Sequence, residues 1–319
     1  MKKNIAVSLN LDELLMRYTL MYRGIQEYAE EHTDWAIHWD HFPESKLQNS
    51  NSKEDSYDGV IGRIKQETYT EAQRLDIPCV NLWHNSELQK KIPSCLMDFY
   101  QSGRMVAEHL LSRGFKEITN IDVKGEAARQ FLEGLKSVTD PLGYKVKVLS
   151  FDRLHASNIK AWEKQSDKFE EWVEDWKFPM AIASSFPLIC IPTFCQSMGL
   201  RIPEDVALVL ASSESGICET IKPYITTADT SCVKVGYEAA RMLHQMLENE
   251  ELEETHVYIK PKSIISRKST DIYATDDAMV KKALRFIAAN LDKEIQVLDV
   301  VDQVPLSKSA LEKRFKTAT

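Results

Sequence analysis

No two cysteines in this chain stand at CxxC spacing. The six, at 79, 95, 190, 195, 218 and 232, are scattered singly. That excludes a zinc ribbon or a redox dithiol and leaves reduced thiols packed in an interior, as in the cytoplasm. Long apolar runs are missing as well. Behind Lys2 and Lys3, the residues Asn4, Ser8, Asn10, Asp12 and Glu13 interrupt any signal-peptide core, and no segment approaches membrane-spanning length. Neither GxGxxG nor GxxxxGK[ST] follows an apolar run, which removes the usual dinucleotide and nucleotide phosphate cradles. GxSxG, HExxH and an activated-cysteine arrangement are also lacking, so an enzyme is not expected. His32, His38 and His41 lie near Asp34 and Asp40, but their spacing suits no standard metal site. Neither metal nor cofactor is expected.

What is present divides by charge. From Met279 to Thr319 there are eight Lys and Arg against five Asp and Glu, a net of +3, so the remainder of a chain of net charge -8 carries -11. An acidic body is repelled by phosphates, and any nucleic-acid contact must run through the tail. In that tail Val280, Ala283, Leu284, Ile287 and Leu291 recur at helical spacing, and Val297, Val300, Val301 and Val304 form a second, shorter apolar set. Pro305 ends the second helix, and Ser307 is placed to cap a third that carries Lys308, Lys313, Arg314 and Lys316 outside with Leu311 and Phe315 inside.

In the body, the runs NIAVSL, YDGVIG, IPCVNLW, EITNID, YKVKVLS, MAIAS and DVALVLA each fit a buried strand. Helical patterns lie between them at 13–32, 67–75, 99–113, 127–138, 164–176, 188–198 and 233–249. Such alternation specifies an α/β fold of doubly wound parallel sheets, with ligands taken outside the carboxyl ends of the strands. Within 164–176, Phe169, Trp172 and Trp176 read as the buried stripe of an amphipathic helix, with Trp162 just ahead of it.

Two resemblances cover nearly the whole chain. The segments DGVIG, DFYQSGRMVAEHLLSRGFKEI, GLRIPEDVALV, ITTADTSCVKVGYEAARMLHQML and PKSIISRKST resemble the two-lobed, periplasmic-binding-protein-like core of LacI/GalR-type regulators. The run ALRFIAANLDKEIQVLDVVDQVPLSKSALEKRFK resembles the first half of an AraC/XylS-type DNA-binding domain. The combination is similar to regulators of the XylR-like, xylose-operon type. It implies a sensor at 1–270, a linker at 271–278 and, at 279–319, the first helix-turn-helix of a truncated DNA-binding domain. By the same resemblance the first lobe holds about 1–97 and 233–254, and the second about 102–227 and 257–268. The crossings then fall near 97–101, 228–233 and 255–257.

The resemblance also implies an effector between the lobes, a double-stranded DNA operator, a homodimer and no membrane partner. Candidate ligand contacts at strand ends and nearby are Asn10, Tyr18, Arg63, Trp83, His84, Asp122, Arg129, Ser185, Ser213 and Glu214. Trp83 suits stacking on the apolar face of a sugar ring. Where relatives carry carboxylates for hydroxyl groups, this chain has Ser184, Ser185, Ser212 and Ser213, which points to a polyhydroxylated effector other than xylose. Arg129 is a substitute for a family arginine whose position is Phe131, and Glu214 could replace a missing Asp. By family motif, Ser307, Lys308, Ser309, Glu312, Lys313, Arg314 and Lys316 form the DNA-reading helix, with Ser309, Glu312 and Lys313 toward base edges. The competing reading is a sugar-binding protein or sensor module without DNA-binding activity of its own.

Overall fold

The computed structural model describes residues 2–11, 16–122, 124–150, 167–185, 190–212, 218–275, 277–290 and 293–318, with Asp122 described by its backbone alone. Its architecture is α/β: two six-stranded sheets, parallel but for one edge pair, each covered by helices. The first sheet is built from β1 (Asn4–Ser8), β2 (Ala36–Trp39), β3 (Gly59–Gly62), β4 (Cys79–Asn81), β5 (Ser94–Met97) and β11 (His256–Ile259), in the order β11-β5-β4-β3-β1-β2. The second contains β6 (Ile118–Asp122), β7 (Lys147–Ser150), β8 (Met180–Ser184), β9 (Val206–Leu210), β10 (Thr226–Ala228) and β12 (Ile264–Ile265), in the order β12-β10-β9-β8-β6-β7.

Central strands are buried on both faces, which is why MAIAS and VALVL read as continuous apolar runs. Helices α1 (Met16–His32), α2 (Pro43–Asn49) and α3 (Gln66–Arg74) belong to the first sheet, together with α8 (Cys232–Leu247). Helices α4 (Phe99–Ser112), α5 (Glu126–Thr139), α6 (helical over 167–173) and α7 (Cys190–Ser197) belong to the second. The α1–α8 and α4–α5 pairs pack backbone to backbone. A Cβ added at Gly24 or Gly236 would strike the main chain of the facing helix, and the same holds for Gly103 and Gly134. The expected stripe is present, with Phe169 and Trp176 buried and Trp172 half-buried over the second sheet. Trp162 lies outside the described residues.

One boundary requires correction. Residues 257–268 were expected to lie wholly in the second lobe, with a crossing at 255–257. Instead His256–Ile259 pairs in parallel with Ser94–Met97 and completes the first sheet, and only Ile264–Ile265 reaches the second, antiparallel to β10. The third crossing is therefore 260–263. Pro261 marks the break, having no N–H to continue a ladder.

Beyond residue 270 come three short helices, α9 (Ala278–Ala289), α10 (Val297–Val301) and α11 (Lys308–Ala318). They enclose Ala283, Val300, Val304 and Leu311, with Phe286, Ile287 and Phe315 packed alongside. Asp277 caps α9 by accepting from the amides of Met279 and Val280, and Ser307 Oγ accepts from Ala310 N at 3.3 Å. Leu284 is half-buried, and Leu291 lies outside the described residues.

Candidate functional site

The chain leaves each sheet at the carboxyl end of a strand: after Met97 into α4, after Ala228 into α8, and after Ile259 toward β12. Both sheets thus turn their carboxyl ends to one junction, the place where open α/β sheets bind ligands.

On the first-lobe side, three of the expected residues come together. The Arg63 guanidinium lies 4.7 Å from the centre of the Trp83 ring and 5.8 Å from that of Tyr18, a cation–π arrangement that joins the ends of β3 and β4 to α1. The Arg63 amide donates to Ser8 O at 2.8 Å, fixing the turn after β3 against the end of β1. Asn10, half-buried, follows that same end. Trp83 is held by its neighbour Asn81, which is fully buried. Asn81 Oδ1 accepts from Trp83 N at 3.1 Å, and Asn81 Nδ2 donates to Trp83 O at 3.0 Å.

His84 has another role. Its Nε2 lies 2.8 Å from Met97 O, which can only accept, so the ring carries its proton there. The ring also packs edge-on against Phe99, centroids 5.0 Å apart. Burial, with Arg17 nearby, pushes its pKa down to about 4. His84 is therefore neutral at pH 7 and braces the first crossing rather than offering charge to a ligand.

On the second-lobe side, Ser184, Ser185 and Ser212 are buried at the ends of β8 and β9, with Ser184 Oγ donating to Ile121 O at 3.4 Å. Ser213, Glu214 and the Asp122 side chain lie outside the described residues. Arg129 does not join this group. It sits on the exposed face of α5 with its guanidinium 2.5 Å from Glu126 and 2.5 Å from Glu133, because those carboxylates stand three residues before it and four after it on the same helix. The expected substitution for the family arginine is thus not made.

Asn85 was missed from the sequence. Its Oδ1 accepts from Glu126 N at 3.0 Å, so a first-lobe side chain caps a second-lobe helix. Two residues after Trp83, it carries no pattern that names a partner 41 positions away. Gly125, with φ of 136°, leaves room for it: a Cβ there would lie 2.8 Å from Asn85 Oδ1.

All seven residues expected to read DNA are exposed on or just before α11. Arg314 also pairs with Asp277 at 3.1 Å, tying α11 to the start of α9. The segment 271–278, expected as a plain linker, is fastened to α4. Ala274 N donates to Arg113 O at 2.7 Å and Arg113 Nη1 lies 3.8 Å from Asp271 Oδ1, while just ahead of the segment Arg113 Nη1 donates to Thr270 O at 2.8 Å and His109 Nε2 lies 3.0 Å from Thr270 Oγ1. Ala274 is buried by this arrangement. Among the described residues there is no group of three or more His, Cys, Asp or Glu that could hold a metal, and no helix is long and apolar enough to cross a membrane.

Residues 107–270, a little over half of the chain, match the periplasmic binding protein-like domain family. The chain belongs to that family. Among curated relatives of this periplasmic binding protein-like chain, the xylose operon regulatory protein of Haemophilus influenzae is 21% identical over 330 residues, covering 98% of this chain and 82% of its own length. The corresponding protein of Escherichia coli K12 is 22% identical over 303 residues, covering 92% and 76%. Among solved structures, the xylose-binding transcription activator xylR superposes with a TM-score of 0.72 at 20% identity, over 100% of this chain and 83% of that one. At these identities the structural likeness speaks for the fold.

Proposed function

We propose that this chain is a ligand-responsive transcription regulator of carbohydrate genes that acts in the cytoplasm. Its two-lobed body is the sensor, and residues 279–318 supply the first helix-turn-helix of an AraC/XylS-type DNA-binding domain. The observation that carries the reading is the continuity between the two. Helix α4 starts at the first crossing beside the aromatic cluster and ends where Arg113 and His109 grip the segment leading to the C-terminal helices. A 14-residue helix is about 21 Å long and stiff, so a change of lobe angle at one end is delivered to the other.

The effector is a polyhydroxylated molecule lying between the Tyr18–Arg63–Trp83 cluster and the serines at the ends of β8 and β9, and the chain works as a homodimer on a two-fold operator. Xylose is the weaker candidate, because serines replace the carboxylates that relatives use for hydroxyl groups. The test is a thermal-shift screen against neutral sugars and their oligomers, followed by operator binding with and without the hit. A ligand at one hundred times its dissociation constant stabilises the fold by about 2.7 kcal/mol. Trp83→Ala should abolish most of that shift. Stabilisation by a sugar with no effect on operator binding would remove the regulatory half of the proposal.

A further inference from the structure

Trp39 is the last residue of β2, the outer strand of the first sheet, and so stands at the same carboxyl end of that sheet beyond which Trp83 follows β4. It stands on the same side as Ile37, which packs into the core beneath α1, the helix that carries Tyr18. The residue is 50% exposed, yet it is not loose: the indole N–H donates to Leu9 O, just beyond the end of β1, at 2.8 Å. The turn that follows is fixed as well. Asp40 N donates to Val7 O at 3.1 Å, Asp40 Oδ1 accepts from Phe42 N at 3.0 Å, and Asp40 Oδ2 accepts from Tyr57 Oη at 2.7 Å. Phe42 then stands 53% exposed with Lys65 over its ring.

A large aromatic ring kept in water by a hydrogen-bonded frame keeps its apolar face available, since neither collapse onto the core nor rotation can hide it. Strand order sets the distance to the inner cluster. β2 and β4 are three strand spacings apart, about 14 Å, in the order β4-β3-β1-β2. That is more than one pyranose ring covers. Arg63, just beyond the end of β3, lies between Trp83 and Trp39 in strand order, with the Tyr18 ring 5.8 Å from its guanidinium.

We propose that Trp39 is an outer subsite for a sugar unit, and that the effector is a linear β-1,4-linked oligosaccharide of three or four pyranose units rather than a monosaccharide. Trp83 stacks on one terminal unit and Trp39 on the other. A flat, extended β-1,4 chain suits a row of rings set along a sheet edge. This rests on the reading of the cleft as a sugar site.

The experiment is calorimetric titration of the full chain with D-xylose, D-glucose, xylobiose, xylotriose, cellobiose and cellotriose, repeated for Trp39→Ala and Trp83→Ala, with sedimentation velocity on all three proteins. At least one oligosaccharide should bind ten-fold or more tightly than its monomer. Trp39→Ala should bring it back toward the monomer's affinity while leaving the monomer's own unchanged, and Trp83→Ala should weaken both. If monosaccharides bind as tightly as oligomers, or Trp39→Ala weakens monomer and oligomer alike, the outer subsite is wrong while the sugar sensor stands. If no sugar binds, both fall. A changed oligomeric state in Trp39→Ala would make Trp39 a subunit contact and overturn the proposal.

Discussion

The side chain of Asn85, in the first lobe, is the N-terminal cap of α5 in the second, with Oδ1 3.0 Å from Glu126 N. Helix caps ordinarily come from the residue before the helix. Here that residue is Gly125, which has no side chain to offer and whose φ of 136° suits glycine. The cap is therefore made only when the two lobes stand in this relation.

Asn85→Ala should cost about 0.5–2 kcal/mol, the usual worth of a helix cap, in the arrangement of lobes described here. Because the loss falls on one arrangement, small-angle scattering should show a shifted or broadened distribution of lobe separations, and ligand affinity should change with it. Gly125→Ala should act in the same direction, through strain at positive φ and contact with Asn85. An unchanged scattering profile in both variants would make the contact incidental.

Arg113 joins α4 to the segment that leads to the C-terminal helices. Arg113→Met keeps the aliphatic stem but removes the ion pair with Asp271 and the donors to Thr270 O and to Ser266 Oγ. The body should keep its effector affinity within about two-fold, since the change is remote from the cleft. The effect of sugar on operator binding should fall, with Thr270→Val giving a smaller loss of the same kind. Coupling that survives both changes would mean the signal takes another route.

One buried histidine and one half-buried one set an acid limit. Burial lowers the pKa of His84 to about 4, and burial together with Arg113 lowers that of His109 to about 4. Between that value and the ordinary histidine pKa of about 6.5, the unfolded chain binds protons that the folded chain does not, so stability rises with pH across this window. The contribution is complete above about 6.5 and is lost as pH falls toward 4, at most about 1.4 kcal/mol per pH unit for His84. Thermal midpoints from pH 7 to 4.5 should fall, and His84→Gln, which keeps a donor for Met97 O, should flatten the decline. An equally steep decline in that variant would place the acid sensitivity elsewhere.

Arg314 and Lys316 are both exposed cations on α11 but differ in what they hold. Arg314 pairs with the capping carboxylate of α9: desolvation, the largest single effect there, raises its pKa, but the amides of Val280 and Met279 and Arg314 itself together outweigh it and hold the pKa low. Lys316 takes part in no ion pair described for α11. Arg314→Ala should therefore loosen the C-terminal helices, seen as faster amide exchange in α9. Lys316→Ala should leave exchange unchanged and flatten the salt dependence of DNA binding by about one unit of slope.

Periodicity and composition were enough for the α/β class, for most strands and helices to within two or three residues, and for the three C-terminal helices with Ser307 as a cap. Each depends on neighbours close in sequence: an apolar stripe, a proline that cannot extend a helix, a hydroxyl near free amides. Strand ends also placed Arg63 and Trp83 at the junction, since in a parallel sheet the carboxyl ends share one edge. Short elements such as Ser94–Met97 and Thr226–Ala228 escaped, because three or four residues buried on both faces leave no period to detect. Everything that joins distant parts of the chain was decided by tertiary structure alone. His256–Ile259 belongs to the first sheet because Ser94–Met97 has a free edge there, and Asn85 is a cap because α5 arrives beside it. Likewise Arg129 turns away from the cleft because two carboxylates on its own helix satisfy its guanidinium first. Local pattern measures how well a segment suits a helix or a strand; which groups meet depends on how those segments are stacked.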